Sequence, residues 1–213
     1  MILLMASAGL RRAALTTLRL ADLQFIDKFS LYKIAVYKRE QEQYTTYCTP
    51  ECAKVINQYL DSRKRLGEQL QPNSILFRAE FDTFSCIRIA RPRPINPDTV
   101  SRTVTVLLDK TGIRPRAQGW KRSDVMQCHG FRKFFKTTCI NAGMNPLYSE
   151  YLMGHRSGLT KSYFKPSDME LLEGNDKALG YISAINGLTI NEEFRLRKKV
   201  DELIKKKDEI AIS

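Results

Sequence analysis

Cys128-His129-Gly130-Phe131-Arg132, then Leu152-Met153-Gly154-His155-Arg156, then Tyr163: this run holds both histidines of a 213-residue chain and sets a tyrosine eight residues after the second. On a helix His129 and Arg132 are three residues apart and share a face, so an imidazole and a guanidinium can converge on one anion. The surrounding pattern predicts helices over 129–142, 146–153 and 160–164, broken at Gly143 and Gly154. A third cation, Arg11, stands far upstream, just past Gly9.

Working outward, residues 1–23 read as an apolar helix, a break at Gly9, and a second helix with Leu10, Ala14 and Leu18 on one face and Leu15 beside them. Residues 29–48 place β-branched and aromatic residues on both sides of a polar centre, Lys38 to Gln43. That predicts a β-hairpin with a solvated turn and Lys38 at the strand-to-turn edge. Thr49, followed by Pro50, caps a helix to about Arg65 with Val55, Ile56, Tyr59 and Leu60 as its buried stripe. Residues 66–97 are loop-rich. Ser74 to Phe77 reads as a short strand, and the prolines of Arg91 to Pro97 make that run extended.

Asp98 begins a helix to about Lys110 that buries Val100, Val104, Leu107 and Leu108, and a basic loop follows over 113–122. Beyond Pro166 come a helix over 168–185 and a charged tail helix over 189–210, whose apolar stripe is Leu196, Val200, Leu203 and Ile210. The expected fold class is mostly α with a small antiparallel β-sheet (α+β).

Lys and Arg number 35 against 23 Asp and Glu, a formal charge of +12, which suits a polyanionic partner, nucleic acid or an anionic membrane. The apolar run from Met1 to Leu10 is far short of the ~20 residues of a spanning helix. Arg11 and Arg12 follow that run, the reverse of a secretory leader, so a reducing compartment and no membrane are expected. The positive excess is local: residues 91–167 carry 14 basic and 4 acidic groups, residues 168–213 carry 8 and 10. The near-neutral tail suits protein contacts better than nucleic acid.

Cys48, Cys52, Cys86, Cys128 and Cys139 form no even, regular framework, so disulfides are not expected. Cys48 and Cys52 could supply two zinc ligands, with Cys128 and His129 as a distant second pair. The second pair lacks ligand spacing, so core thiols are the better reading and no metal is expected.

His129-x-x-Arg132, Leu152-x-Gly154-His155 and the tyrosine soon after, preceded by Gly9-Leu10-Arg11, resemble the catalytic domain of the tyrosine recombinases, the phage-type integrases. Ala8 to Arg11 and Leu18 to Leu23 resemble the family's first arginine box, and the likeness runs from about Leu3 to Lys165. It implies a catalytic domain over 1–167 and a carboxy-terminal helical extension over 168–213 that docks on a neighbouring subunit. A tail helix packed on its own domain, or flexing in solvent, is the alternative reading.

The implied activity is site-specific cleavage and rejoining of double-stranded DNA through a 3′-phosphotyrosyl intermediate, for integration or excision of a mobile element. A tetrameric synapse and a cytoplasmic, nucleoid-associated location go with it, in the host cell if the chain is viral. Tyr163 would attack the backbone phosphate, Arg11 and Arg132 would hold its non-bridging oxygens, and His129 would take the tyrosine proton. His155 would hydrogen-bond the phosphate and Lys38 would protonate the leaving 5′-oxygen. Covalent capture keeps the phosphodiester energy, so the resemblance implies no nucleotide, metal or other cofactor.

Three departures accompany the likeness. Ala14 stands three residues after Arg11, where family members often carry an acid. The interval from His155 to Tyr163 is one residue shorter than the commonest arrangement, which leaves attack in cis and in trans both open. No amino-terminal core-binding domain fits before Leu3, so an excised catalytic domain or a half-protein is expected, with weak, strongly salt-dependent DNA binding. Tyr148, Tyr151 and Tyr181 compete with Tyr163. A type IB topoisomerase and a non-catalytic, integrase-derived DNA-binding module are the rival functions.

Overall fold

In the computed structural model, α1 (Ile2–Ala8) and α2 (Arg12–Thr17) are separated at Gly9, whose left-handed backbone (φ 59°) ends α1 as the sequence predicts. Residues 1–38, 40–80, 86–113, 126–155, 166–167 and 171 are described. Leu10, Ala14, Leu15 and Leu18 are buried together in the main core.

The second helix stops earlier than predicted. Leu20 N–H donates to Ser74 C=O at 2.9 Å, Ala21 N–H to Pro72 C=O at 2.7 Å, and Leu76 N–H to Leu18 C=O at 2.8 Å. These bonds satisfy backbone groups that a longer helix would have satisfied internally, so the chain leaves the helix for the 72–76 segment. Arg19 and Asp22 close a short 3-10 turn over Leu20–Asp22. The turn leads into a strand that the sequence pattern does not predict, β1 (Leu23–Ile26).

β1 pairs antiparallel with β2 (Leu31–Val36), and β2 with β3 (Tyr44–Tyr47), giving a three-stranded sheet in the order β1-β2-β3. The β2–β3 hairpin lies inside the predicted 29–48, with Ile34 opposite Thr46 and Val36 opposite Tyr44. The mostly helical architecture with a small antiparallel sheet is the one expected.

Thr49 caps α3 (Pro50–Arg65) by accepting from Cys52 N–H, with Pro50 at the first helical position. The buried face is Cys52, Ala53, Ile56 and Arg63, with Tyr59 and Leu60 packed at its edge. Val55 is 41% exposed, a correction to the predicted stripe. A stripe built on Cys52, Ile56 and Arg63 follows the 3.6-residue period and turns Val55 outward.

The predicted strand at Ser74 to Phe77 forms only an isolated bridge, Ile75 to Arg19. Its backbone is shared between two neighbours: Leu76 meets Leu18, and Phe77 C=O accepts from Ile95 N–H. A short helix, α4 (Cys86–Ala90), lies in the stretch predicted as loop. Asn96 caps α5 (Pro97–Thr111) through Asp98 N–H. Val100 and Val104 are buried, Leu108 is partly buried, and Leu107 is 39% exposed, a second correction. Leu107 lies three residues past Val104 and one before Leu108, on the flank of the helix away from the core.

α6 (Cys128–Asn141) and α7 (Pro146–Leu152) match the predicted 129–142 and 146–153 to within a residue. α1 packs on α6 and α3, and α7 packs on α6 and β3. A second core of Leu31, Tyr47, Phe135, Cys139, Met144, Leu152, Met153 and Leu171 joins the sheet to α6 and α7. The predicted helices over 160–164 and 189–210, all of that over 168–185 except Leu171, and most of the basic loop over 113–122 lie outside the described residues. No helix among the described residues is long and apolar enough to cross a membrane.

Candidate active site

Arg132 is the centre of the site. It lies one turn into α6, where the 3.6-residue period turns it inward with Phe135 and Cys139, and it is only 6% exposed. A buried guanidinium must find partners for its five N–H donors. Nη1 donates to Gly9 C=O at 2.5 Å, and Nη2 to Met153 C=O at 3.2 Å and to His155 Nε2 at 2.6 Å. One side chain thereby ties the end of α1 to the end of α7.

Both of those ends depend on glycine. A Cβ on Gly9 would lie 2.7 Å from Phe135 Cδ1, and one on Gly154 would lie 2.4 Å from Tyr44 Cδ1, each at a φ near +60°. Gly154 closes α7 in a Schellman motif: its N–H donates to Tyr151 C=O at 3.0 Å, and His155 N–H to Glu150 C=O at 2.9 Å. That turn aims His155 back at Arg132.

Arg11 is the residue just before α2, in extended backbone, and Arg12 is the first residue inside it. Arg12 reaches α5, with Nη1 2.6 Å from Ser101 Oγ and 3.8 Å from Asp98 Oδ1. Arg11 is the one whose charge acts on Arg132. Burial first, and the Arg11 charge second, lower the pKa of Arg132, while Tyr44 and Tyr37 oppose that shift. Two guanidiniums acting on one another, with Glu150 bonded to Lys136 and His155 rather than to either, are an arrangement suited to an anion.

His155 joins the pair with a definite tautomer. A guanidinium only donates, so Nε2 presents its lone pair to Arg132 and the ring proton sits on Nδ1. Nδ1 donates to Glu150 Oε2 at 2.5 Å. Lys136 donates to the other oxygen of Glu150. Burial works to raise the Glu150 pKa, but the bonds from Lys136 and His155 outweigh it and the carboxyl is held below its ordinary value.

The other predicted residues stand apart. His129 is exposed on the first turn of α6. Lys38 is exposed in the turn after β2, and its Nζ donates to Ala21 C=O at 3.3 Å. Among the described residues neither makes a hydrogen bond or ion pair with Arg11, Arg132 or His155. Tyr163 lies outside the described residues. Cys48 and Cys52 are buried and hydrogen-bonded to each other, while Cys128 sits 3.9 Å from Ser101 Oγ. Among the described residues no three His, Cys, Asp or Glu gather as metal ligands would.

Glu150, Tyr44 and Tyr37 join the site without a motif to announce them. Tyr37 adopts left-handed backbone (φ 53°) at the end of β2, and its ring meets that of Tyr44 edge-on at 6.3 Å. The Tyr44 hydroxyl lies within electrostatic reach of both guanidiniums yet makes no hydrogen bond of ordinary geometry. Burial pushes its pKa up to about 12 against both positive charges. The only sequence signal for Glu150 is an acid one helical turn before the Met153-Gly154-His155 turn.

The model of the phage integrase family matches residues 1–170. The chain belongs to the phage integrase family. Among solved structures, this integrase-family chain resembles a XerA recombinase, with a TM-score of 0.51 and 21% identity over 81% of this chain and 54% of that one. It resembles the integrase of mycobacterium phage Brujita at 0.55 and 16%, over 86% and 50%. A XerH site-specific recombinase bound to its difH substrate in a pre-cleavage complex matches at 0.53 and 14%, over 73% and 38%. These likenesses establish the shared recombinase fold, and the chain spans about half the length of the recombinases it matches, 54% and 50% of the first two. A comparison with curated proteins finds no match.

Proposed function

We propose that the protein cleaves and rejoins double-stranded DNA at specific sites through a 3′-phosphotyrosyl intermediate, to integrate or excise a mobile element. The observation that carries this reading is the convergence of Arg11, Arg132 and His155 at the paired ends of α1 and α7. Three donors of Arg132 are engaged within the protein, and in this reading its remaining N–H groups, beside the Tyr44 hydroxyl, and Arg11 take the phosphate oxygens. Charge grows on those oxygens in the pentacoordinate transition state, where fixed guanidiniums stabilise it most.

Tyr163 is the proposed nucleophile, its Oη displacing the 5′-oxygen. Its proton passes to His129, and Lys38 supplies a proton to the leaving oxygen, both of which reach the scissile phosphate only once DNA is bound. The reverse step, attack by a different 5′-hydroxyl, exchanges strands. The excess of basic groups over 91–167 favours the DNA backbone, and the near-neutral 168–213 is the proposed contact between subunits of a tetrameric synapse. The proposed location is the cytoplasm of the cell that holds the DNA.

A suicide duplex with a nick near the scissile phosphate tests the activity, because loss of the short 5′-hydroxyl strand traps the covalent complex. An adduct that survives denaturation, forms equally in excess chelator, and depends on duplex sequence is the expected result. Binding of the same duplex should weaken steeply with salt. An adduct that vanishes in chelator contradicts the metal-free mechanism, and sequence-independent relaxation of supercoiled circles contradicts site-specific recombination.

A further inference from the structure

We infer that Glu150 is the positioning residue of His155, fixing the ring and serving as the counter-anion that lets Nε2 leave Arg132 and donate to the scissile phosphate. The inference rests on the recombinase reading and adds a residue to it.

Glu150 grips His155 at two points. Its backbone C=O accepts from His155 N–H at 2.9 Å in the turn that closes α7, and its Oε2 accepts from the ring at Nδ1, 2.5 Å away. Lys136, one turn along α6 from Arg132, holds the other carboxylate oxygen. The ring is therefore held in one plane and one tautomer, with Nε2 pointing at Arg132 2.6 Å away.

That tautomer has a chemical consequence. A neutral ring with its proton on Nδ1 offers a phosphate oxygen only a lone pair, which repels it. To donate to phosphate, Nε2 must give up Arg132 and take a proton from water, after which both ring nitrogens are donors. The groups near the resulting imidazolium include Arg132, which touches the ring, and Lys136, which shares Glu150 with it, both from α6; Arg11, from the segment before α2, acts on Arg132. The hydroxyls of Tyr44 and Tyr37 stand beside the arginines as neutral groups.

The incoming phosphate on the Nε2 side and Glu150 on the Nδ1 side offset the positive charge at the ring itself, while Glu40 and Glu42 of the hairpin turn act on Tyr37. The helix that begins after Arg11 supplies no anion, since the position three residues on is the buried Ala14. Glu150 is already ionised, its carboxyl held low by Lys136 and His155. Phosphate binding thus exchanges an Arg132-to-Nε2 bond for an Nε2-to-phosphate bond, with one proton drawn from solvent.

The test uses the full chain and two variants. Glu150→Gln keeps a hydrogen-bond acceptor and removes the charge. It is expected to bind the suicide duplex with unchanged Kd and to cleave it about 10- to 100-fold more slowly, with the alkaline limb of the rate profile moved to lower pH. Glu150→Asp should recover part of the rate. A Glu150→Gln enzyme that cleaves as fast as the wild type, or slows equally at every pH, would overturn the inference.

Nitrogen-15 resonances of the His155 ring supply a readout that does not depend on cleavage. In the DNA-free wild type the His155 Nδ1–H should be shifted downfield and protected from exchange by its bond to Glu150, and Glu150→Ala should lose both the shift and the protection; identical ring resonances in the two proteins would overturn the inference. A wild-type chain that forms no adduct contradicts the recombinase reading alone, and the ring resonances still decide the role of Glu150.

Discussion

Arg132→Lys should cut single-turnover cleavage of nicked DNA by about 10²- to 10³-fold while changing DNA affinity little. Charge is conserved, so the counterion release that dominates affinity is nearly unchanged. Geometry is what fails. The guanidinium reaches Gly9 C=O with one nitrogen, and Met153 C=O and His155 with the other. A lysine ammonium is a point donor that cannot span the ends of α1 and α7 and still face a phosphate.

The carbonyls of Gly9 and Met153 would lose their partner, so a stability loss of about 1–3 kcal/mol should accompany the kinetic one. Denaturant melts alongside cleavage rates separate the two effects. An Arg132→Lys protein that cleaves at the wild-type rate would mean that the fork on these two turns does not stabilise the transition state.

Glu68→Gln should be strongly destabilising, costing about 3–5 kcal/mol. Glu68 sits between two arginines, with the three side chains only 2–4% exposed. Arg63 donates Nε to Glu68 Oε2 at 2.9 Å and Nη2 to Oε1, and Arg78 donates Nη1 to Oε2 at 2.5 Å. Arg63 Nη1 also reaches Ile75 and Leu76 C=O at 2.9 and 2.8 Å. The cluster clamps the end of α3 to the segment that pairs with residues 18–21, and so supports the helix behind Arg11.

Glutamine removes the one carboxylate charge that bonds to both buried guanidiniums. For a chain of this size the midpoint should fall by about 2–4 °C per kcal/mol, measured by calorimetry. The pH dependence has a definite sign. Burial raises the Glu68 pKa, but the two arginines outweigh it and hold the carboxyl below its ordinary 4.5. The contribution is therefore fully present above 4.5 and is lost as pH falls through the depressed folded value. Glu68→Gln should lack that component of acid destabilisation.

Periodic and capped segments are legible in the sequence alone. Thr49-Pro50 and the alternation over 29–48 locate α3 and the hairpin because their signals are local. β1 is not legible, since Leu23 to Ile26 continues an apolar pattern that also suits a helix, and only the bonds to residues 72–76 draw the chain off. Val55 and Leu107 are apolar residues on the flanks of helices whose core faces are set by distant packing. Glu68 and Arg63 resemble surface charges in sequence, and only their meeting makes a buried cluster.

The site divides in the same way. Arg11, Arg132 and His155 are legible as a spaced set of cations, and the glycines that let the chain bring them together stand beside them. Glu150 and Tyr44 are not, because their relation to that set is a contact between α7, α6 and the hairpin rather than a spacing. Lys38 and His129 lie exposed on the hairpin turn and on α6, without a hydrogen bond to Arg11, Arg132 or His155.

The most direct test is to trap the covalent complex on a suicide duplex, digest it, and identify by mass spectrometry the tyrosine that carries the 3′-phosphate. The mechanism predicts a single modified peptide bearing the phosphate on Tyr163, and no adduct from Tyr163→Phe despite nearly unchanged binding. A phosphate on Tyr148, Tyr151 or Tyr181, or an adduct that survives in Tyr163→Phe, would contradict it.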